Sequence, residues 1–293
     1  MAAEDIPQSR LCGAMPVTVR QLELNPDFRR AQQDLESATS ARLATGVIAR
    51  RGLLEIPVIT HVVSKTDEQN ISDGQIQSQI DVLNKDFRAR NSDLHKVPEV
   101  WRSLATDTQL EFRLADVTRT RTDRDFFSDN DDVKFTSEGG HDVIDPDSNL
   151  NFWVCNLRPW LGYAYFPGTV PAERDGVVIG YRWFGTEGSA TDPYNLGRTA
   201  THEIGHYLNL YHIWGGGTSS CDDTDFVADT PSQLDENGGK PNFPRISCNN
   251  GPYGDMFMNY MDYTDDDSMF MFTAQQVVRM RAALAESRPN LGQ

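Results

Sequence analysis

The sequence predicts an α+β fold in two lobes, and three observations predict it. Strand-like apolar runs and amphipathic helical stretches share the first two thirds of the chain. About sixty residues dense in Gly, Asp and Asn follow, with little periodicity. A capped amphipathic helix then closes the sequence. With 293 residues, 38% apolar and 24% charged, the chain has the composition of a soluble globular protein.

In chain order, residues 1–45 stand apart. Pro26 to Arg42 reads as a thin, highly charged helix with Phe28, Ala31, Leu35 and Ala38 on one side. Leu53 to Val63 is a strand run. Ser72-Asp73-Gly74-Gln75 fits a capping box opening a helix whose Ile76, Ile80, Leu83 and Phe87 make an inward stripe. Leu110 to Val117, Leu150 to Leu157 and Gly176 to Tyr181 are further strands. Leu161 to Pro167 reads as an edge strand, because a terminal Pro cannot donate to a ladder. Residues 192–211 form a second helix, and Thr273-x-x-Gln276 caps the last one, with Val277, Met280 and Leu284 inward. No period repeats, which excludes a solenoid.

The net charge is −16, from 43 acidic and 27 basic side chains. That excess argues against nucleic acid and against anionic membrane surfaces as partners, and no apolar run reaches the length of a spanning helix. It leaves open a basic partner, divalent cations or plain solubility. Of four cysteines, Cys221 and Cys248 bracket a loop-rich stretch that a disulfide would close, which implies an oxidising compartment and a secreted protein. Met1 to Asp5 shows neither the basic nor the apolar region of a leader, so a leader has been removed or export uses another route. Oligomeric state is left open.

The chemistry is concentrated in His202-Glu203-Ile204-Gly205-His206-Tyr207-Leu208-Asn209-Leu210-Tyr211-His212. On a helix, His202 and His206 share a face and can offer two nitrogens to one metal ion. Glu203 leans over the same edge as a general base, without being a ligand. A third imidazole, His212, reaches the same metal only if the helix ends near residue 209 and turns. Asn209 is a residue that tolerates the left-handed backbone needed. Three imidazoles with an open fourth position describe a catalytic zinc. Met258-Asn259-Tyr260-Met261-Asp262-Tyr263 supplies a methionine floor beneath the ligands, with Met261 preferred over Met258, and Tyr263 as a phenol able to stabilise an oxyanion.

Those residues, with Ile213-Trp214-Gly215-Gly216 after them and Asn195 to Thr201 before them, resemble the pappalysin-type metzincins, most of all the ulilysin-like secreted endopeptidases. The likeness runs from about Leu53 to Met280. It implies a two-lobed zincin fold, with a twisted mixed sheet and the motif helix above the cleft, and a loop-rich lower lobe carrying the methionine turn and the C-terminal helix. It implies a pro-segment over residues 1–41, an upper subdomain over 42–208 and a lower one over 209–293. A Cys221–Cys248 disulfide follows from it, as does a calcium site at Asp225, Val227 and Thr230, a loop whose hard oxygens suit that ion. Arg10-Leu11-Cys12-Gly13 is similar to a cysteine switch, in which Cys12 would take the fourth position on zinc. The alternative is a Cys12–Cys155 disulfide. Cleavage at Ser40-Ala41-Arg42 would then activate the enzyme.

Protein or peptide substrates are the implied partners. The run Asp265-Asp266-Asp267 follows Tyr263, where a carboxylate, Asp266 or Asp267, would receive a Lys or Arg just after the scissile bond. Cleavage before basic residues is also what the resemblance implies. Tyr163, Ala164 and Tyr165 on the edge strand would pair with an extended substrate. The rivals are a gluzincin, made unnecessary by His212, and a metal-binding adhesion module, against which Glu203 and Tyr263 argue.

Overall fold

The computed structural model describes residue 7 and residues 9–217 and 219–292. An N-terminal arm carries two helices, α1 (Ala14–Leu24) and α2 (Pro26–Thr45). Asn25 caps α2, accepting from the Asp27 amide, and Gly46 ends it in the left-handed conformation at φ 64°. Only Leu35 and Thr39 of α2 are buried, which fits a helix too thin to hold a core of its own. Ala31, expected inward, is exposed. α1 was not anticipated from the sequence.

The body follows: β1 (Leu54–Ser64), α3 (Asp73–Asp86), a single helical turn α4 (Glu99–Arg102), β2 (Leu110–Arg121), β3 (Leu150–Cys155), β4 (Gly162–Ala164), β5 (Val177–Gly180) and α5 (Arg198–Tyr207). Five strands make one mixed sheet in the order β2-β1-β3-β5-β4, parallel throughout except for the last pair. Strands covered on both faces become unbroken apolar runs, and β3 and β5 are buried along their whole length. Ser72 caps α3 as expected, through the Gln75 amide at 3.0 Å. Ile76, Ile80, Leu83 and Phe87 pack with Val58, Val62, Phe112 and Phe152 in the main core. α5 packs against β4, β5 and α3.

Beyond α5 the chain is irregular, with one short parallel pair, β6 (Gly238–Gly239) and β7 (Tyr263–Thr264). The last helix is α6 (Ala274–Glu286), whose capping box between Thr273 and Gln276 is complete. Its Val277, Met280 and Leu284 are buried, and α2 lies against it. No described helix is long and apolar enough to cross a membrane.

Two elements differ from expectation. The helix expected over 192–211 forms only over 198–207. Gly197 stands at φ 75°, and the Leu196 and Arg198 amides turn to Asp266 Oδ2 at 2.7 and 3.2 Å, so the preceding residues are loop. The edge strand expected over 161–167 keeps only three residues, antiparallel to β5.

Candidate metal centre and active site

α5 is buried at every position, and it puts His202 and His206 on one face, a turn apart. Leu208 leaves the helix, and Asn209 follows in the left-handed region at φ 73°. That turn brings His212 back, so its Nε2 lies 3.0 Å from His206 Nε2, while His202 Nε2 lies 3.2 Å from the same atom. His202 Nδ1 donates to the Tyr260 carbonyl and His206 Nδ1 to the Leu210 carbonyl, both at 2.7 Å. A carbonyl only accepts, so each Nδ1 holds the proton and each Nε2 turns a lone pair inward.

Lone pairs facing each other at that distance repel unless a cation lies among them. Burial pushes all three imidazoles toward the neutral form a metal requires, His206 down to about 4, and neighbouring imidazoles add to the effect at His202 and His212. The ligand atom of a fourth buried residue, Cys12, lies within 4.8 Å of the three nitrogens. Three imidazoles and a sulfur suit zinc, and the site fits it.

Cys12 Sγ is 3.5 Å from Glu203 Oε2, and the Tyr263 phenol interacts with the same sulfur. Burial, then the nearby Glu203 charge, holds Cys12 well above the ordinary thiol range. Burial pushes Glu203 up to about 8. Cys155 is a separate buried thiol, so the alternative Cys12–Cys155 disulfide is absent. The Cys221–Cys248 disulfide is present.

The floor is tightly fitted. Any Cβ on Gly205, between the two helical histidines, would collide with Met261 Sδ and lie 3.1 Å from its Cε. A glycine weakens a helix, yet only glycine admits the methionine here. Met261, fully buried, packs against the helix turn between His202 and His206, where a methionine floor was expected, and its amide donates to Asn259 Oδ1 at 2.9 Å. Tyr263 stands edge-on to His212, with ring centroids 4.8 Å apart. Trp214 stacks flat on His212 at 4.4 Å, a contact with no signal in the sequence beyond its proximity.

The arm threads the cleft along β4. Leu161 N donates to the Leu11 carbonyl at 2.8 Å, and Gly13 N to the Gly162 carbonyl at 2.9 Å. Strand pairing therefore falls on Leu161 and Gly162. Tyr163, Ala164 and Tyr165 are buried, and the two phenols donate inward to Asp131 at 3.1 and 2.7 Å. The Asp131 and Lys134 ion pair, with Lys134 Nζ 4.6 Å from the Tyr165 ring centroid, is a support the sequence did not reveal.

Two residues before Cys12, Arg10 enters a closed pocket. Its Nη2 meets Asp266 Oδ1 at 2.5 Å and Nη1 donates to Thr199 Oγ1 at 2.9 Å, with the guanidinium 4.9 Å from the Tyr194 ring centroid. Both partners of the ion pair are buried. Asp267 lies elsewhere, on an exposed pair with Lys240 at 2.6 Å. The role of Arg10 was missed, although a basic residue beside the cysteine motif was in plain view.

In the lower loop, Asp225 Oδ2 accepts from Thr230 Oγ1 at 2.7 Å, and that hydroxyl lies 3.3 Å from the Val227 carbonyl. The three residues proposed for calcium are brought together, and burial pushes Asp225 up to about 7.

Comparison with known proteins agrees with this geometry. A peptidase family model described as "Pregnancy-associated plasma protein-A" matches residues 154–285. An extracellular metalloprotease of Trichophyton verrucosum is 33% identical over 278 residues, spanning 92% of this chain and 89% of the relative. This chain belongs to the pappalysin family of metalloproteases. A second relative, an extracellular metalloprotease of Arthroderma otae, is 32% identical over 96% of this chain and 93% of its own. A solved promirolysin mutant from Tannerella forsythia superimposes with TM-score 0.89 at 42% identity, covering 97% of each chain. Mature mirolysin from the same organism, in complex with a cleaved peptide, gives 0.79 at 45% identity, covering 83% of this chain and 99% of its own. The mixed sheet, motif helix and loop-rich lower half are therefore the metzincin fold of that family, and the protein is a metalloprotease.

Proposed function

We propose that this pappalysin is a secreted zinc endopeptidase made in latent form, cutting peptide bonds just before Lys or Arg. The observation that carries the reading is the path of the N-terminal arm: Cys12 sits among three imidazoles while Arg10 fills a pocket closed by Asp266. His202, His206 and His212 would hold zinc, which when bound supplies the Lewis acidity that polarises a carbonyl and activates water.

Glu203 is the general base. Its carboxylate lies beside the open side of the imidazole cluster, where Cys12 now sits, and its burial favours taking up a proton and passing it to the leaving amine. Tyr263, high in pKa and close to the same point, keeps its proton and donates a hydrogen bond to the developing oxyanion. Leu161 and Gly162 offer the free edge that now pairs with the arm, and a substrate in extended form would take it. Asp266 would receive the basic side chain, as a buried carboxylate already turned toward a guanidinium.

The relatives' coverage supports a pro-segment over residues 1–41, with the catalytic lobes over 42–208 and 209–293. Promirolysin spans 97% of this chain and mature mirolysin 83%, a difference close to the share held by the arm. The bond at Ala41-Arg42 lies inside α2, so it must unwind before any protease can cut it. Calcium at Asp225, Val227 and Thr230 would brace the lower lobe. The names of the relatives support an extracellular place of action.

Casein digestion by the processed chain tests the reading. We expect cleavage to stop with Glu203→Ala and with a zinc chelator, and the new N-termini to be mostly Lys and Arg. Undiminished cleavage by the variant, or N-termini without basic residues, would refute the corresponding half.

A further inference from the structure

The arm touches the body at a second place, on the back of the histidine turn. Glu36, midway along α2, makes a two-pronged ion pair with Arg279 of α6, at 2.6 and 3.0 Å. Arg279 is fully buried, while Glu36 keeps a fifth of its side-chain surface in water. The same carboxylate accepts from Asn209 Nδ2 at 3.0 Å, and Arg279 also donates to the Asn209 carbonyl at 3.1 and 3.2 Å. Nearby, Gln32 donates to the Tyr211 hydroxyl at 2.8 Å. The Tyr211 and Phe226 rings flank the guanidinium at 5.5 and 5.7 Å. Asn209 Oδ1 is buried with no partner among the described residues.

These contacts form a built receptor for one carboxylate: a planar guanidinium fork, an amide donor and two aromatic walls. Cleavage anywhere between Glu36 and Gly46 separates that carboxylate from the body. When the arm leaves, the guanidinium loses its counter-ion while the Asn209 carbonyl and the Tyr211 and Phe226 rings still hold its fork in place, so the emptied site retains a preference for a carboxylate. The site is built on Asn209, the residue that turns the chain between the second and third histidines, and shares no contact with Cys12 among those of the described residues.

We propose that Arg279 and Asn209 form a carboxylate-binding exosite, filled in the latent form by Glu36, through which the released pro-segment rebinds the mature enzyme in trans. The inference rests on the reading of residues 1–41 as a pro-segment. Its occupant is the α2 helix of this chain, which packs on α6 and buries Leu35 and Thr39. Cys12 and Glu36 then hold the arm at two independent points, so the released peptide binds far more tightly than either contact alone.

The test places the change in the peptide, so the enzyme's folding is untouched. The full-length Glu203→Ala chain is processed by a trace of wild-type enzyme, which leaves a mature body unable to cut what it binds. Labelled peptides of residues 7–45 are then titrated by fluorescence anisotropy. Glu36→Gln preserves helix propensity and size while it removes the charge and turns one of the two acceptor oxygens into a donor, and we expect about 10–100-fold weaker binding. Cys12→Ser is expected to weaken binding separately, with the two effects adding. Equal affinity of the Glu36→Gln and parent peptides overturns the exosite.

A second arm needs no catalysis. In the intact full-length chain, Glu36→Gln should speed amide hydrogen exchange across residues 26–45 by about tenfold or more and leave residues 10–14 unchanged. Unchanged exchange across α2 also overturns the proposal. Failure of processing in the first arm would count against the zymogen reading instead, and the exchange result would still decide the exosite.

Discussion

Asp266→Asn removes one charge from a buried pocket and little else. Its Oδ1 meets the Arg10 guanidinium at 2.5 Å and its Oδ2 accepts from the Leu196 and Arg198 amides. Asparagine has the same shape and can keep its carbonyl oxygen on those two amides, so the loop that carries it should stay in place. What it loses is the charge-assisted bond to a basic side chain, worth about 1.5–3 kcal/mol, and rather more where both groups are dry. Both are dry here, with Arg10 1% and Asp266 0% exposed. About 3–4 kcal/mol lost in the transition state lowers kcat/KM by roughly 10²–10³ for substrates with Arg after the scissile bond. The assay is kcat/KM on matched peptides with Arg or norleucine at that position. The ratio between them should fall by that factor while the norleucine value changes little. An unchanged ratio would refute the pocket, and an equal fall for both would place Asp266 in structure instead of specificity.

Further expectations follow from the same geometry. Cys12→Ala should shorten the lag before self-processing, seen on a gel time course, and an unaltered lag would locate latency elsewhere in the arm. Gly205→Ala forces a methyl into Met261, an overpacking of about 1–3 kcal/mol, and should lower Tm by several degrees; a Tm equal to the parent's would contradict the floor. Asp225 has its folded pKa raised from an ordinary 3.8 to about 7 by burial, so without calcium the folded state binds the extra proton. Stability should then be greatest below about pH 4 as far as this group is concerned, and decline as pH rises to about 7. Calcium should reverse that decline, so its Tm increment should grow from pH 5 to pH 7.5; an increment independent of pH would exclude Asp225 as its ligand.

Much of this site was legible because local spacing encodes it. Two histidines four apart on a buried helix must share a face, and Asn209 was readable as the turn because few residues tolerate φ 73°. Strands β1, β3 and β5 were legible as apolar runs for the same local reason. What stayed hidden depends on tertiary partners. Three consecutive aspartates look alike in sequence, and only the fold turns Asp266 to the pocket while Asp267 meets Lys240. The start of α5 was misjudged because Asp266, seventy residues away, takes the amides that would have continued the helix. Tyr163 and Tyr165 read as a substrate edge from their place in the strand, but that Asp131 holds both phenols in the core and that the arm pairs at Leu161 and Gly162 depends on partners far along the chain. Arg10 could be assigned only once its partner 256 residues later was in view.

The central claim is that one zinc ion is shared by three imidazoles and the Cys12 sulfur until the arm is removed. X-ray absorption at the zinc edge measures this directly, on the full-length chain before and after processing. The account predicts three nitrogen ligands near 2.0–2.1 Å and one sulfur near 2.3 Å before, with the sulfur replaced by oxygen afterwards. A zinc shell with no sulfur in the full-length chain would contradict it.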